Sequence, residues 1–472
     1  MSMTSCALRK AILALHYCLG LLALPLFAES ARAGLEESRP LPPAAPRWLE
    51  DYRFLDDPGK RQDPFDALRY HRLSESSWLQ LGGELRYRAD SIDNSYFGLR
   101  GIEHENYLQQ RVQLHADLHL FDGAARAFVQ LEDTRSWDKD PVLPVDQSRT
   151  EFHQAFIDGS RDVADGQFTA RLGRQEMFFG IGTFVALRET PNLRYSFDGL
   201  RLSWSNARGS QVNVFAVRPV LPRPNGSFND GSDPQKRFAG VYTSWPLGQG
   251  RGFDLYGFTL DTNDRRLAGQ FGDEQRYTLG MRLFGQSEGW RWSADLAAQR
   301  GTLGDARISA WALSSEWGYN WLAPGNPQLT MRTDAASGDR HLGDDKVQTF
   351  DPLFPNNQVY GDAGLTTLSN AMVIGPVFGY SVHPRLRLEP AILGVWKQRS
   401  EDALYLGGMA PVPGTVGTDR RAGVVYKTKL RWLATDNLTL ETDLQWFDAG
   451  PAITQAGGDD TAFLSLRGTF RF

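Results

Sequence analysis

Residues 108–120 read Leu-Gln-Gln-Arg-Val-Gln-Leu-His-Ala-Asp-Leu-His-Leu, and this stretch is the clearest indication of the fold. Its even-numbered positions carry apolar residues, with Gln110 as the one exception, and the odd-numbered positions from Gln109 to His119 carry polar residues. Successive side chains of an extended strand point to opposite faces. The stretch therefore predicts a β-strand with one apolar face and one polar face.

The same period of two residues recurs from about residue 77 to the end of the chain, and no comparable stretch shows a sustained helical period. Further examples are residues 79–89, 276–283, 290–299, 426–432 and 438–446.

The connections between these stretches alternate in length. Residues 206–209 form a short connection, 177–197 and 261–274 form long ones, and 300–308 is intermediate. Transmembrane barrels combine short periplasmic turns with longer outer loops. The chain is therefore predicted to be all-β: a single transmembrane antiparallel β-barrel of about 18 strands, counted to within two, with short periplasmic turns and long extracellular loops.

Alternation also fits a soluble β protein, whose apolar face packs inward. The mean hydropathy of −0.40 is typical of soluble proteins, but a transmembrane barrel gives a similar value because only every second strand residue faces lipid. No segment after the N-terminal region has the ~20 consecutive apolar residues of a membrane helix. A propeller would show a sequence repeat of the length of one blade, and the sequence has none. These features favour the membrane barrel.

The N-terminal region has the organisation of a cleaved secretory signal, predicted to span residues 1–33. Arg9 and Lys10 precede an apolar run at 11–27, and Ala31-Arg32-Ala33 supplies the cleavage site. A cut after Ala28 and an uncleaved anchor are the alternatives. Residues 34–76 are rich in Pro and predict a periplasmic lead-in with little regular structure, followed by the barrel at 77–472.

Both cysteines, Cys6 and Cys18, lie in the predicted signal. A mature chain without cysteine excludes disulfides, thiol catalysis and thiolate metal sites. The formal net charge is −5, and removal of the three basic residues and one acidic residue of the signal leaves −7. An acidic chain gives no electrostatic support to a nucleic-acid partner.

The chain ends on an amphipathic strand that Phe472 closes, with Arg467 and Arg471 on its polar face. A C-terminal Phe in this position resembles the signal read by the bacterial barrel-assembly machinery. An ordinary buried terminal strand is the alternative. Together with the export signal, this end predicts the outer membrane of a Gram-negative bacterium as the location, and barrel-assembly machinery, lipid and lipopolysaccharide as partners.

A barrel of this size encloses an aqueous lumen, and the polar face of the strands sets its selectivity. If the apolar positions of each strand face lipid, the positions that alternate with them face the lumen. This inner face then contains more basic than acidic residues. One interpretation is a lumen that attracts anions, since guanidinium groups suit carboxylates. The other is that each Arg pairs with a neighbouring acid and stiffens the wall. Residues 335–370 either fold inward as a plug or gate, or form a plain surface loop.

Several motifs together resemble the alginate export family of outer-membrane proteins, and the resemblance covers nearly the whole mature chain. These motifs are Glu50-Asp51-Tyr52-Arg53-Phe54-Leu55, Leu81-Gly82-Gly83-Glu84-Leu85-Arg86, Leu172-Gly173-Arg174-Gln175-Glu176, Pro191-Asn192-Leu193-Arg194-Tyr195-Ser196-Phe197-Asp198-Gly199-Leu200-Arg201 and Thr349-Phe350-Asp351-Pro352-Leu353-Phe354-Pro355.

The resemblance implies a monomeric 18-stranded channel that passes an anionic polyuronate outward through an arginine-rich constriction. The matching motifs imply a role in lining the channel for five residues, namely Glu84, Arg86, Arg174, Arg194 and Arg201. With the arginines placed inward by parity, the residues predicted to line the pore and bind anions are Glu84, Arg86, Arg88, Arg111, Arg171, Arg174, Arg194, Arg201, Arg276, Arg282 and Arg332.

The predicted function is an outer-membrane channel for an anionic solute, an acidic polysaccharide such as alginate, through an arginine-lined lumen. The first alternative is a general porin or an uptake porin for small organic anions. The second is an outer-membrane enzyme, but no Gly-x-Ser-x-Gly, His-Glu-x-x-His or phosphate-loop motif supports one. His115, Asp117 and His119 share a strand face, too far apart along it for one metal. We therefore predict no enzyme, no cofactor and no metal; a Ca²⁺ site at 338–345 is a weak alternative.

Overall fold

The computed structural model describes residues 46–472. The predicted signal and the first part of the lead-in lie outside these residues. The described lead-in consists of the 3₁₀-helices Arg47–Leu49, Arg53–Asp56 and Pro58–Lys60, the single α-helical turn Asp66–Arg69 and the short strand Tyr70–Arg72. Within residues 46–472, no helix is long and apolar enough to cross a membrane.

Eighteen long strands follow, here numbered β1 to β18. In chain order they are Trp78–Asp93, His104–Leu120, Ala125–Trp137, Ser148–Val163, Gly166–Gln175, Phe197–Asn206, Gln211–Leu221, Lys236–Gly248, Arg251–Leu267, Gln270–Ser287, Trp290–Leu303, Ala306–Asn320, Gln328–Ala336, Ala371–His383, Leu386–Lys397, Arg421–Leu433, Leu438–Ala449 and Thr461–Arg471.

Each of these strands pairs antiparallel with its neighbours in sequence, and the first strand also pairs with the last. The closing register runs from Glu84 opposite Arg471 to Asp93 opposite Ala462. A sheet closed in this way has no free edge. The prediction of a single all-β barrel of about 18 strands is confirmed.

The two ends of the barrel differ in their connections. At the end where β1 begins and β18 finishes, here called the terminal end, the turns have two to seven residues. At the opposite end, the loop end, seven connections have 10 to 34 residues. Both termini of the barrel therefore lie at the short-turn end.

Two connections at the loop end are shorter than the sequence predicted. The prediction of a long loop at 261–274 is wrong, because β9 and β10 continue to a two-residue turn at Ala268 and Gly269. Both turn residues have positive φ, as a tight hairpin requires. A register shift between Thr262 and Arg265 interrupts the alternation. The sequence pattern therefore does not show that both strands continue beyond this point. The connection at 300–308 is likewise a two-residue turn, at 304–305.

The two faces of the wall have opposite polarity. On the outer face Leu114, Leu279 and Leu296 are half-exposed or more, while Arg111 and Gln113 on the inner face are buried. Exposed tryptophans also collect near the terminal end of the outer face. They are Trp245, Trp290, Trp317, Trp321 and Trp432. An apolar band flanked by aromatic residues is typical of a barrel in lipid.

Candidate lumen and anion-binding site

Two long loops fold into the lumen and contact each other there. Loop A is residues 176–196, between β5 and β6, and loop B is residues 337–370, between β13 and β14. The backbone N–H of Phe354 donates to the carbonyl of Phe184 at 2.9 Å, and that of Ala186 donates to the carbonyl of Phe354 at 2.9 Å. Of the two alternatives for 335–370, the structure shows the inward fold.

An aromatic cluster joins both loops to one side of the wall. Phe354 of loop B packs on Phe197 and Phe238, with ring centroids 5.0 and 4.9 Å apart. Phe179 of loop A stacks on Tyr242 at 4.8 Å. These rings are buried, so this side of the lumen is filled by an apolar core rather than by water.

The alternation of the strands predicts a polar inner face throughout and gives no indication of this cluster. A signal was present in β7, where residues 212–217 read Val-Asn-Val-Phe-Ala-Val. Phe215 and Val217 point inward and are buried, while Val214 on the opposite face is exposed. A strand that is apolar on both faces is expected where both faces are covered.

On the other side of the lumen, loop A is held by a buried network of charges. Arg111 lies 2.6 Å from carboxylate oxygens of both Glu84 and Glu189, and Arg86 lies 2.9 Å from Glu189. Arg194, which belongs to loop A itself, pairs with Glu189 and lies 3.3 Å from Glu176.

The charges in this network compensate one another. Burial disfavours the ionised form of Glu189, but the guanidinium groups of Arg111, Arg194 and Arg86 outweigh it and hold the pKa of its carboxyl well below the usual range. Asn192 adds neutral contacts: its side-chain amide donates to the carbonyls of Gln110 and Asp146 at 2.9 and 3.0 Å. Glu84, Arg86, Arg111 and Arg194 therefore lie together, and Arg86 and Arg111 tie loop A to the wall through Glu189.

Most of the other predicted arginines are buried and ion-paired on the wall. The pairs are Arg88 with Asp90 at 2.7 Å, Arg171 with Asp158 at 2.8 Å, Arg276 with Glu274, Arg282 with Asp254 at 2.5 Å and Arg332 with Asp334 at 2.9 Å. For these residues the structure supports the second interpretation, in which the arginines stiffen the wall.

Arg174 does not line the lumen. It has the parity of Leu172, which is exposed on the outer face, and it pairs with Asp198 at 2.8 Å. Three positions separate it from the inward-facing Arg171, and side chains an odd number of positions apart point to opposite faces. The prediction that placed Arg174 in the pore is wrong for this reason.

Arg201 lines the lumen without a carboxylate partner among residues 46–472. Its Nε and Nη2 both donate to Oδ1 of Asn213, at 3.0 and 2.7 Å. It borders a cavity of about 610 Å³ at the terminal end, which Arg126, Arg171 and Trp48 also line. The lead-in therefore forms part of this cavity.

A second cavity, of about 250 Å³, lies at the loop end between loops A and B. Arg188, Tyr195, Lys236 and Arg265 border it. The guanidinium of Arg188 lies 3.8 Å from the centre of the Tyr195 ring, and Arg265 pairs with Asp351 at 2.8 Å. Cationic side chains thus border the lumen on both sides of the contact between loops A and B.

Within residues 46–472, no group of three or more His, Cys, Asp and Glu side chains could hold a metal ion. His119 stacks on Trp78 at 4.6 Å, and His115 stacks on Phe128 at 5.6 Å. In the acidic stretch 338–345, Asp339 accepts backbone N–H groups of His341 and Gln348.

Comparison with known proteins agrees with this architecture. A family model described as alginate export matches residues 77–465. No curated protein matches the sequence significantly.

Solved structures with the same fold include porins of Pseudomonas. The OccK2 (OpdF) channel of Pseudomonas aeruginosa, crystallised with glucuronate, is 12% identical with a TM-score of 0.55, over 83% of this chain and 98% of that one. A BenF-like porin of Pseudomonas fluorescens is 9% identical with a TM-score of 0.56, over 84% and 99%. OccK11 (OpdR) of P. aeruginosa is 12% identical with a TM-score of 0.52, over 84% and 96%. At these identities the likeness concerns the fold.

Proposed function

The chain belongs to the alginate export family of outer-membrane β-barrels, and on that premise we propose that it is a channel for anionic solutes, either an acidic polysaccharide such as alginate or its uronate units. The observation that carries this proposal is the placement of Arg201 and Arg188. They border cavities on opposite sides of the contact between loops A and B. Cationic groups in a low-dielectric passage raise the local concentration of anions.

Loops A and B contact each other inside the lumen. Polymer transport therefore requires that loop A or loop B move, and the buried pairs of Glu189 with Arg86 and Arg111 are the contacts that such movement breaks. The buried charge network then acts as a gate that opens when these pairs break.

A second candidate is an uptake porin for small organic anions. The cavities of about 610 and 250 Å³ have the size of sites for small molecules rather than for a polymer. A channel of the same fold has been crystallised with the monomeric uronate glucuronate. Family and fold are those of channels, and an enzyme on the barrel wall is the least favoured alternative.

The test is electrical recording from the refolded mature chain in planar bilayers. The reversal potential in a KCl gradient measures anion selectivity, and block is compared for polyuronate, glucuronate and neutral dextran. Anion-selective current blocked by polyuronate supports polymer transport. Block by glucuronate alone supports the small-anion porin. Current without anion preference and indifferent to both acids would falsify the proposal.

A further inference from the structure

Two arginines lie side by side on the outer face of the wall at the loop end. Arg218 is on β7 and Arg237 is on β8, and the register that pairs Val217 with Phe238 places them opposite each other. Val217 and Phe238 are buried on the inner face, so the adjoining arginines point outward. Side chains that face each other on neighbouring strands are about 5 Å apart at Cβ. The two guanidinium groups therefore carry their charges close together on the lipid side of the barrel.

Within residues 46–472, neither Arg218 nor Arg237 forms an ion pair. Asp198 on β6 lies opposite Arg218, but it is paired with Arg174 at 2.8 Å. Asp261 on β9 lies opposite Arg237 and is not bound to it. Like charges that face each other across two strands are destabilising. An anionic group that contacts both arginines removes this repulsion and is stabilised here.

The outer face below the two arginines, toward the terminal end, is apolar. Its outward positions on β5 to β8 carry Leu172, Leu200, Ala216, Val214, Ala239 and Val241. Val241 is also at the edge of an apolar groove of about 790 Å³ that β8 to β11 form around Gly257. At ~3.3 Å per residue, Val241 lies about 13 Å below Arg237, within the length of an acyl chain. Paired cations thus stand directly above a surface suited to hydrocarbon.

We propose that this face of the barrel is a binding site for lipopolysaccharide, the phosphorylated glycolipid of the outer leaflet. A phosphate of its lipid A bridges Arg218 and Arg237, since guanidinium groups bind phosphate through paired hydrogen bonds. The acyl chains lie on the apolar surface below. The long loops mark the outward end of the barrel, so the arginines stand at the level of the lipid phosphates. The site lies on the lipid side of the wall and does not depend on what passes through the lumen.

The test is lipid binding to the folded mature chain in detergent, measured by native mass spectrometry. The three probes are bisphosphorylated lipid A, dephosphorylated lipid A and phosphatidylglycerol. Wild type is expected to bind bisphosphorylated lipid A about tenfold more tightly than the other two, because only this probe combines two phosphates with several acyl chains. Arg218→Gln and Arg237→Gln are each expected to weaken its binding about tenfold.

Arg300→Gln is the matched control, with an expected loss of about twofold or less. Arg300 is an exposed arginine on the outer face of β11 at the loop end, but the uncharged Tyr277 and Ser309 lie opposite it. Equal weakening in Arg300→Gln, or equal binding of dephosphorylated lipid A, overturns the site. Equal binding of phosphatidylglycerol overturns lipopolysaccharide as its occupant.

Thermal stability in lipid-free detergent separates binding from a structural role of the arginines. Arg237→Gln is expected to melt at or above the temperature of wild type, because the substitution removes the repulsion from Arg218. Added bisphosphorylated lipid A should then stabilise wild type more than the variant. A variant that melts lower without lipid and gains as much from lipid A as wild type would show that the arginine serves the fold and not the lipid.

Discussion

Arg86 on β1 and Glu189 on loop A form a buried ion pair of 2.9 Å between residues 103 positions apart in the chain. The same carboxylate also faces Arg111 at 2.6 Å and contacts Arg194. One acidic side chain therefore contacts three guanidinium groups and ties the loop to the wall. Removing one partner of such a buried pair is destabilising because it leaves the other charges uncompensated.

The first prediction follows from this arrangement. Glu189→Gln leaves Arg86, Arg111 and Arg194 with less compensation, so loop A is expected to detach from the wall. Mean single-channel conductance should rise and anion selectivity should increase, since three cations then face the lumen. Recording in planar bilayers under a KCl gradient measures both. Glu389→Gln is the control, because its pair with Arg387 is only partly buried. Conductance that is unchanged in Glu189→Gln speaks against loop A as a gate.

The second prediction concerns loop B and pH. Asp362 pairs with Arg467 at 2.5 Å and lies 3.8 Å from Lys429. Burial disfavours its charged form, but these cations hold the pKa of its carboxyl well below the usual range. A lowered folded-state pKa contributes stability above the ordinary aspartate value, and this contribution is lost as pH falls through the folded-state value.

Asp362→Asn is accordingly expected to be less stable than wild type at pH 7, by about 3 kcal/mol. The difference should shrink below about pH 4. Urea unfolding in lipid vesicles, followed by tryptophan fluorescence across this pH range, measures it. Asp436→Asn is the control, since its pair with Arg385 is exposed and should contribute about 1 kcal/mol or less. A pH-independent difference contradicts the role assigned to the carboxylate.

Much of the barrel could be predicted from the sequence because a strand's period is local. Alternation placed Arg111, Arg171 and Arg282 on the inner face, and the structure has them there. Asp158, the partner of Arg171, lies directly opposite it on the adjacent strand, so hairpin pairing accounts for that ion pair. Glu189, a partner of Arg111, could not be predicted, because it lies 78 positions away on loop A and reaches Arg111 only where that loop folds into the lumen.

For Arg174 the family motif predicted a side chain in the lumen, whereas the alternation along the strand places this side chain on the outer face. Arg171 and Arg174 lie three positions apart on β5 and therefore face opposite sides. The third prediction is that Arg174→Gln leaves anion selectivity within measurement error of wild type, whereas Arg201→Gln lowers it. Reversal potentials of the two variants, which lose the same charge, decide between the faces. Equal losses of selectivity would contradict the outward placement of Arg174.

The last prediction concerns the aromatic cluster that anchors loop B. Phe354 is buried against Phe197, Phe238 and Tyr195, with ring centroids between 4.9 and 5.3 Å away. Truncation of a buried Phe to Ala removes this packing and leaves a cavity, at a cost of about 3–5 kcal/mol. Because loop B is attached to loop A through the backbone of this residue, Phe354→Ala should free both loops together.

The expected result is larger and more fluctuating single-channel current, with faster proteolysis of loop B in folded protein. Phe228→Ala is the matched control, since Phe228 belongs to a loop-end connection, is mostly exposed and contacts only Phe152 among the aromatic rings of the described chain. Faster proteolysis without any change in current would mean that loop B is anchored by the cluster but does not limit conduction, and the narrow part of the pathway would then lie at loop A and its charge network.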